Sequence, residues 1–357
     1  MPLTSFLRSV GLLFLLVALL VSCSKEPTPQ ETVKSVKADS VDLAKQLRLR
    51  RIDSLKNRFP TIAYRRFVLS GKQVYDSVRK NFAKTHSTMK NYRALTMLNR
   101  KDIYFMRQGD TIVMPDTIME DLRAYSVFPQ YYPGADTIPK LVMLSNAWQA
   151  YACYEYGELV RFVAVNSGEE RKPTFPGRYA VNWKAKLRLS SLDSNWELPF
   201  TVNFHQNAGS AFHQFEMPGR PVSHSCVRQL LDDAEWLFKW VKTASYDTVE
   251  RRPKQFTGTP VIIIDIFDFN RRRGGPWLEL TSNAVMINDL PKDPMQVEEA
   301  LIPISQIPKD VRGSLVNRQR YVDAEKILRE KGIIRPQAKL LESIDYNKLR
   351  RERKRRG

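Results

Sequence analysis

The stretch KLVMLSNAWQAYACYEYGELVRFVAV, residues Lys140–Val165, decides the fold. Lys140-Leu-Val-Met-Leu144 is a short apolar run. A second run spans Trp148–Glu155 and closes on the turn Tyr156-Gly157-Glu158. The third, Leu159–Val165, ends at Ser167-Gly168. Aromatic and β-branched residues fill all three, and turn residues separate them, so each reads as a strand. Working outward, Gly177–Trp183 and Leu198–Phe204 continue the pattern, and Val261–Ile264 reads as a last, fully buried strand. Only one helix interrupts it: Leu231, Ala234, Leu237, Phe238 and Val241 recur at helical spacing. Many short strands with one helix predict a mainly β catalytic domain, a sandwich or barrel, over residues 138–265. No internal repeat of fixed period accompanies it.

Upstream, residues 61–118 predict a small α/β module. Gln73–Phe82 has a helical pattern, and the turn Gly109-Asp110 opens a strand that Pro115 ends. The pieces Leu98-Asn99-Arg100 and Gly109–Asp116 resemble the second half of a LysM-like peptidoglycan-binding module. Further upstream, residues 39–58 form a weakly amphipathic helix, and residues 24–38 are polar and aperiodic, as a tether should be. At the N-terminus, Arg8 precedes an apolar segment, Val10–Val21. That is shorter than the roughly 20 residues a spanning helix needs, and it reads as a signal peptide. Leu20-Val21-Ser22-Cys23 resembles the lipobox of bacterial lipoproteins. The resemblance implies cleavage after residue 22 and a lipid on the Cys23 thiol, and Ser24 favours the outer over the inner membrane. The chain is thus read as signal peptide 1–22, lipidated tether and helix 23–60, module 61–118, catalytic domain 138–265 and C-terminal extension 266–357. The extension holds a helix over Arg320–Lys331, stopped by Gly332, and ends in a basic tail, KLRRERKRRG.

The 357 residues are 43% hydrophobic, which excludes a wholly disordered chain. Three cysteines exclude a disulfide-dense scaffold and a four-cysteine zinc site. The formal charge of +19 is partly dispersed and partly in the tail. For a protein of the cell envelope, that tail points to anionic lipid or acidic wall polymer and not to nucleic acid.

Chemistry concentrates between residues 205 and 228. Three of the four histidines lie there, His205, His213 and His224, with Cys226 close behind. A thiol attacks only as thiolate, and at its free pKa of about 8.5 little is ionised near neutrality. A histidine within hydrogen-bond reach removes that obstacle by taking the proton. A strand bearing His213, a loop rich in Gly and Pro (Pro218, Gly219, Pro221) and Cys226 at the loop's far end would bring the pair together. Backbone N–H groups near Ser225 and Cys226 would then face a developing oxyanion. The spacing of His205, His213, His224 and Cys226 matches no zinc pattern, so no metal and no cofactor is expected. His205 reads as a pocket-wall or core histidine, and Cys153 as a buried structural thiol.

This text resembles the L,D-transpeptidase (YkuD-type) catalytic domain. His213, a nine-residue spacer, then Ser223-His224-Ser225-Cys226-Val227-Arg228 follow the family's hallmark. Ser167-Gly168, Lys172–Tyr179 and Gly258–Val261 match its flanking segments in order. Two departures stand out. Ser225 replaces the usual Gly, which would strain a backbone of positive φ, and its hydroxyl is a candidate donor to substrate. The spacer is also short, implying a trimmed loop.

The resemblance implies a peptidoglycan enzyme of the cell envelope. Cys226 is its nucleophile and His213 its base, and His224 and Ser225, with Ser223 beside them, line the oxyanion side. Arg228 holds a substrate carboxylate or braces the loop. The implied reaction opens the L,D bond after the third residue of a stem tetrapeptide, forms a thioester, and passes the acyl group to an amine. Three other readings stand beside it. One is hydrolysis of the same thioester, as an L,D-carboxypeptidase or endopeptidase. Another is a non-catalytic wall-binding lipoprotein, and the last a metal-dependent hydrolase.

Overall fold

A computed structural model describes residues 43, 45–190, 193, 195–205, 209–271 and 274–343. The expected signal peptide, the lipidation site Cys23 with its tether, and the basic tail lie outside these residues. The chain divides into two units, Met1–Arg51 and Ile52–Gly357. In the first, the described residues are helical and exposed.

The second unit opens with β1 (Tyr64–Val68), α1 (Gly71–Asn81), α2 (Met89–Asn99) and β2 (Thr111–Pro115). β1 and β2 pair antiparallel, from Tyr64 opposite Pro115 to Val68 opposite Thr111. Gly109 takes a φ of 88° in the turn before β2, a conformation that glycine adopts without steric penalty. α1 buries no residue, whereas α2 buries Ala94, Leu95, Met97 and Leu98.

Two sheets follow. β3 (Leu141–Ser145), β4 (Ala150–Glu155), β5 (Glu158–Ala164), β6 (Gly177–Ala180) and β13 (Pro260–Ile263) form one, in the order β5-β4-β3-β13-β6. β7 (Trp183–Leu189), β8 (Glu197–His205), β9 (Ser210–Gln214) and β10 (Val227–Gln229) form the other, in the order β10-β9-β8-β7. α3 (Leu231–Trp240) follows β10, and a small hairpin, β11 (Tyr246–Asp247) and β12 (Arg252–Pro253), precedes β13. This is the expected mainly β sandwich, with one helix shortly after Cys226.

Side chains on alternate positions of the larger sheet face the smaller one. Val142, Leu144, Tyr151, Cys153 and Val261 pack there with Val202, Phe204, Phe212 and Val227. Cys153 is a free, buried thiol within that layer. The opposite face of the same sheet is covered too. Leu141, Met143, Ala152, Tyr154 and Ile262 share a core with Ile62, Ala94, Met97 and Leu98 and with Trp277 of the C-terminal extension. Residues 61–118 therefore pack onto the catalytic sheet and share its core. Burial on both faces explains why Leu141–Ser145 is apolar almost without break.

One expected strand divides. Gly177–Trp183 reads as a single run, yet β6 pairs with β13 in the first sheet and β7 with β8 in the second. The chain turns the corner at Val181-Asn182, where Val181 N–H donates to Thr259 O (2.9 Å) and Val181 O accepts from Ala244 N–H (3.0 Å). Gly258 backs this corner. A Cβ there would meet Val181 O at 2.0 Å, so only glycine fits.

Beyond β13 the chain is mostly turns and short 3-10 segments until α4 (Arg318–Glu330). Gly332 ends the helix with a φ of 69°, and Ile333 and Ile334 donate back to Leu328 O. Leu328 and Ile334 pack with Phe175, which lies on the loop before β6. The segment after them returns to the catalytic domain, where Leu341 N–H donates to Arg171 O (2.7 Å).

Candidate active site

β10 lies parallel to β9 with Val227 opposite Phe212, Arg228 opposite His213 and Gln229 opposite Gln214. Successive side chains on a strand point to opposite faces. Phe212 and Val227 are buried in the sandwich, so His213 and Arg228 face the other way, and Cys226, two residues before Arg228, shares their face. Cys226 and His213 thus sit diagonally across neighbouring strands. Both line one cavity of about 310 Å³. Ala211 and Arg228 complete its floor. Trp183, Arg188, Trp196 and Leu198 from the β7–β8 hairpin form one wall. Lys172, Ser223 and His224 form another, joined by Leu341 and Glu342.

The imidazole of His213 is oriented by its own strand. Nδ1 lies 2.9 Å from Gln214 O. A carbonyl only accepts, so Nδ1 carries the proton and Nε2 is left as the base. Burial holds this imidazole down to about 4, opposed by the Gln214 carbonyl and reinforced by Arg228. Burial also pushes the Cys226 thiol up, against the pull of Ala211 backbone, Arg228, Arg188 and Lys172. Near neutrality the thiol and the imidazole are therefore both uncharged. Cys226 Sγ is half-buried, with Gly209 O at 3.9 Å.

Ser225 takes a φ of 73°, so the position does need the left-handed backbone for which glycine is suited. Its hydroxyl is 2.8 Å from that of Ser210, and both side chains are buried. That hydroxyl is engaged with Ser210, and Ser225 is not among the cavity-lining residues. Thr174 Oγ1 donates to Ser225 O (3.1 Å) and accepts from Gly168 N–H (2.9 Å). Ser223 is laced to the same loop: its N–H donates to Ser167 O (3.0 Å) and its carbonyl accepts from Glu169 N–H (2.8 Å). His224 lies 6.5 Å from the Trp196 ring. Arg228 stacks over Phe215 at 4.6 Å and exchanges both backbone hydrogen bonds with Asn166. His205 lies outside this cavity, edge-on to the Tyr179 ring at 5.2 Å, and burial lowers it to about 4. Among the described residues no group of three or more His, Cys, Asp or Glu side chains is placed to hold a metal ion.

Residues 139–263 match the YkuD family, the L,D-transpeptidase catalytic domain. No curated protein matches the chain. Among solved structures, an L,D-transpeptidase from Stackebrandtia nassauensis is 22% identical, covering 37% of this chain and 58% of its own, with a TM-score of 0.29. One from Mycobacterium tuberculosis H37Rv is 18% identical over 36% of this chain and 58% of its own, with a TM-score of 0.27. A third, residues 123–326 of an L,D-transpeptidase from Xylanimonas cellulosilytica, is 20% identical over 57% of this chain and 99% of its own, with a TM-score of 0.33. The chain spans just under three fifths of the first two structures.

Within the matched residues, the sequence singles out His213, Ser223, His224, Cys226 and Arg228, and the fold gathers all five around one cavity. It does not single out the roles of Lys172 and Thr174, though both lie in the loop that carries the resemblance. Trp183 reads only as a strand residue and Arg188 and Trp196 carry no reading, until the hairpin brings all three to the cavity. Leu341 and Glu342 carry no local signal, because their place depends on how the extension wraps.

Proposed function

We propose that the protein is a cysteine-dependent L,D-transpeptidase of the bacterial cell envelope, acting on peptidoglycan stem peptides. The observation that carries this is the pair on one sheet face: Cys226 and His213 share the floor of a single cavity, with His213 Nδ1 pinned to Gln214 O and Nε2 left free. Cys226 Sγ attacks the carbonyl after the third residue of a stem tetrapeptide while His213 Nε2 takes the thiol proton. Collapse of the tetrahedral intermediate breaks the C–N bond, and His213 returns the proton to the departing amine of the terminal D-residue. A second amine then attacks the thioester while His213 Nε2 takes its proton, and the C–S bond breaks as that proton passes to Cys226 Sγ. The positive φ at Ser225 supports an oxyanion site there, since turns of this kind can present successive backbone N–H groups to an anion. Because both partners rest neutral, the proton moves during attack and no thiolate need be stored.

Intact-mass spectrometry after exposure to a carbapenem tests this, alongside Cys226→Ala. One adduct on the wild-type chain and none on the variant is the expected result. Adducts on both, or turnover of stem tetrapeptide by Cys226→Ala, would overturn the assignment. The lipid anchor at Cys23 is a separate part of the proposal, resting on Leu20–Cys23. Mass analysis of the N-terminal peptide from membranes checks it, and an unmodified Cys23 would refute it.

A further inference from the structure

One wall of the catalytic cavity holds a buried cation that makes no direct ion pair among the described residues. The Lys172 side chain is only 5% exposed. Its Nζ donates to Ser343 Oγ (2.8 Å) and more weakly to Leu341 O (3.4 Å), both neutral oxygens. It has no ion pair among the described residues. Glu342 lies near enough for its charge to favour the ammonium, but its carboxylate makes its direct contacts elsewhere, 3.5 Å from Arg312 and accepting from Lys309 N–H (3.2 Å). A buried ammonium without an anion is expensive to keep, and such groups concentrate at binding and catalytic sites. Burial brings Lys172 down to about 8, so it remains mostly charged near neutrality.

Its surroundings say what the charge faces. Lys172 belongs to the loop whose Thr174 holds the carbonyl of Ser225, directly before the nucleophile. Arg188 and Arg228 line the same cavity, and among the described residues lining it Glu342 is the one carboxylate. The cavity is therefore built for an anionic guest. In the proposed reaction the leaving residue carries a free carboxylate about one residue length, roughly 3.5 Å, beyond the scissile bond.

We propose that Lys172 is a carboxylate anchor that sets donor specificity: its ammonium, held by Ser343 of the C-terminal segment, pairs with the free C-terminal carboxylate of the residue that leaves when Cys226 attacks. Ser343 acts through Lys172 and is a positioning residue. The extension thus contributes to substrate choice from more than a hundred residues downstream of the nucleophile. This inference rests on the transpeptidase reading above.

The test compares two donors, a stem tetrapeptide with a free C-terminus and the same peptide as its carboxamide. Binding is measured by calorimetry on the full chain carrying Cys226→Ala, and turnover on the full chain with Cys226 intact. The expected result is a preference of at least tenfold for the free carboxylate in binding. Lys172→Met erases that preference, raising KM for the carboxylate donor at least tenfold with a smaller fall in kcat. Lys172→Arg retains part of it, and Ser343→Ala shifts KM the same way by a smaller factor. Replacing a buried unpaired charge by Met should also leave the melting temperature equal or higher, which separates lost recognition from lost folding. Equal binding of the two peptides, binding of neither, or a preference that survives Lys172→Met overturns the anchor. Absence of turnover by the Cys226 chain overturns the transpeptidase reading instead, and the binding comparison still judges Lys172.

Discussion

Substitution of Ser225 separates two opposing contributions at the nucleophile turn. The backbone there has a φ of 73°, which an L-residue adopts at a cost of about 1–2 kcal/mol. The Ser225 hydroxyl offsets part of this through its 2.8 Å bond to Ser210 Oγ, in a site where both residues are buried. Ser225→Ala keeps the strain and leaves the Ser210 hydroxyl without that partner. A buried orphan hydroxyl costs about 1–3 kcal/mol, so a loss of about 2 kcal/mol is expected. Ser225→Gly loses the same bond and regains about 1–2 kcal/mol of strain, but gives back roughly 0.5–1 kcal/mol through a more flexible unfolded chain. The glycine variant should therefore be about 0.5–1 kcal/mol more stable than the alanine variant. Removing both hydroxyls, as Ser210→Ala with Ser225→Ala, should cost less than the sum of the single changes, because no orphan remains. Urea midpoints followed by tryptophan fluorescence measure the wild type, both Ser225 variants, Ser210→Ala and the double variant at constant slope. An alanine variant as stable as the glycine variant would refute the strain argument. Additive single losses would refute the hydroxyl pair.

Three further outcomes follow from the same geometry. Iodoacetamide should alkylate Cys226 slowly around neutrality, with the rate rising only at a higher pH than for a free thiol, since burial raises the thiol and His213 rests neutral; a fast plateau near pH 6 would reveal an ion pair. His205 and His213 are both held down to about 4 against a usual value near 6.5, so the stability they confer is complete above about pH 6.5 and lost as pH falls through about 4. Each contributes on the order of 3 kcal/mol, and the His205→Gln chain should show a visibly shallower loss over that window; an identical pH dependence would count against it. Asn166 accepts from Gly219 N–H (2.8 Å) and donates to Arg100 O (3.0 Å), tying residues 100–102 to the loop before the nucleophile. Asn166→Ala should destabilise the chain by about 2 kcal/mol and speed amide exchange at Gly219, and unchanged exchange there would show the tie to be dispensable.

Local chemistry made much of this protein legible in sequence. Strand alternation, the turn residues between strands and the single helical period at residues 231–241 depend on neighbours a few positions away, so they survive reading in one dimension. The same holds for His213 and Cys226. One parallel strand pairing puts them on a shared face, and their types and order already name the chemistry. The left-handed turn at Ser225 was also foreseeable, because only a backbone argument makes a non-glycine residue there notable.

What tertiary structure alone decided involves partners far apart along the chain. Nothing near Val181 announces that one apolar run divides between two sheets, because the corner depends on Thr259, Ala244 and Gly258 meeting it from elsewhere. Lys140–Val165 reads as strands, but the cover on its second face comes from α2 and Trp277, so the shared core with residues 61–118 is a long-range result. Whether Ser225 points its hydroxyl to substrate or into the protein was settled by Ser210, fifteen residues away on a neighbouring strand. Lys172 is an ordinary loop lysine until Ser343 closes over it from the C-terminal segment. Period and residue type encode which face a side chain takes. Which distant group then faces it is set by the packing of whole elements, where burial and charge act through space.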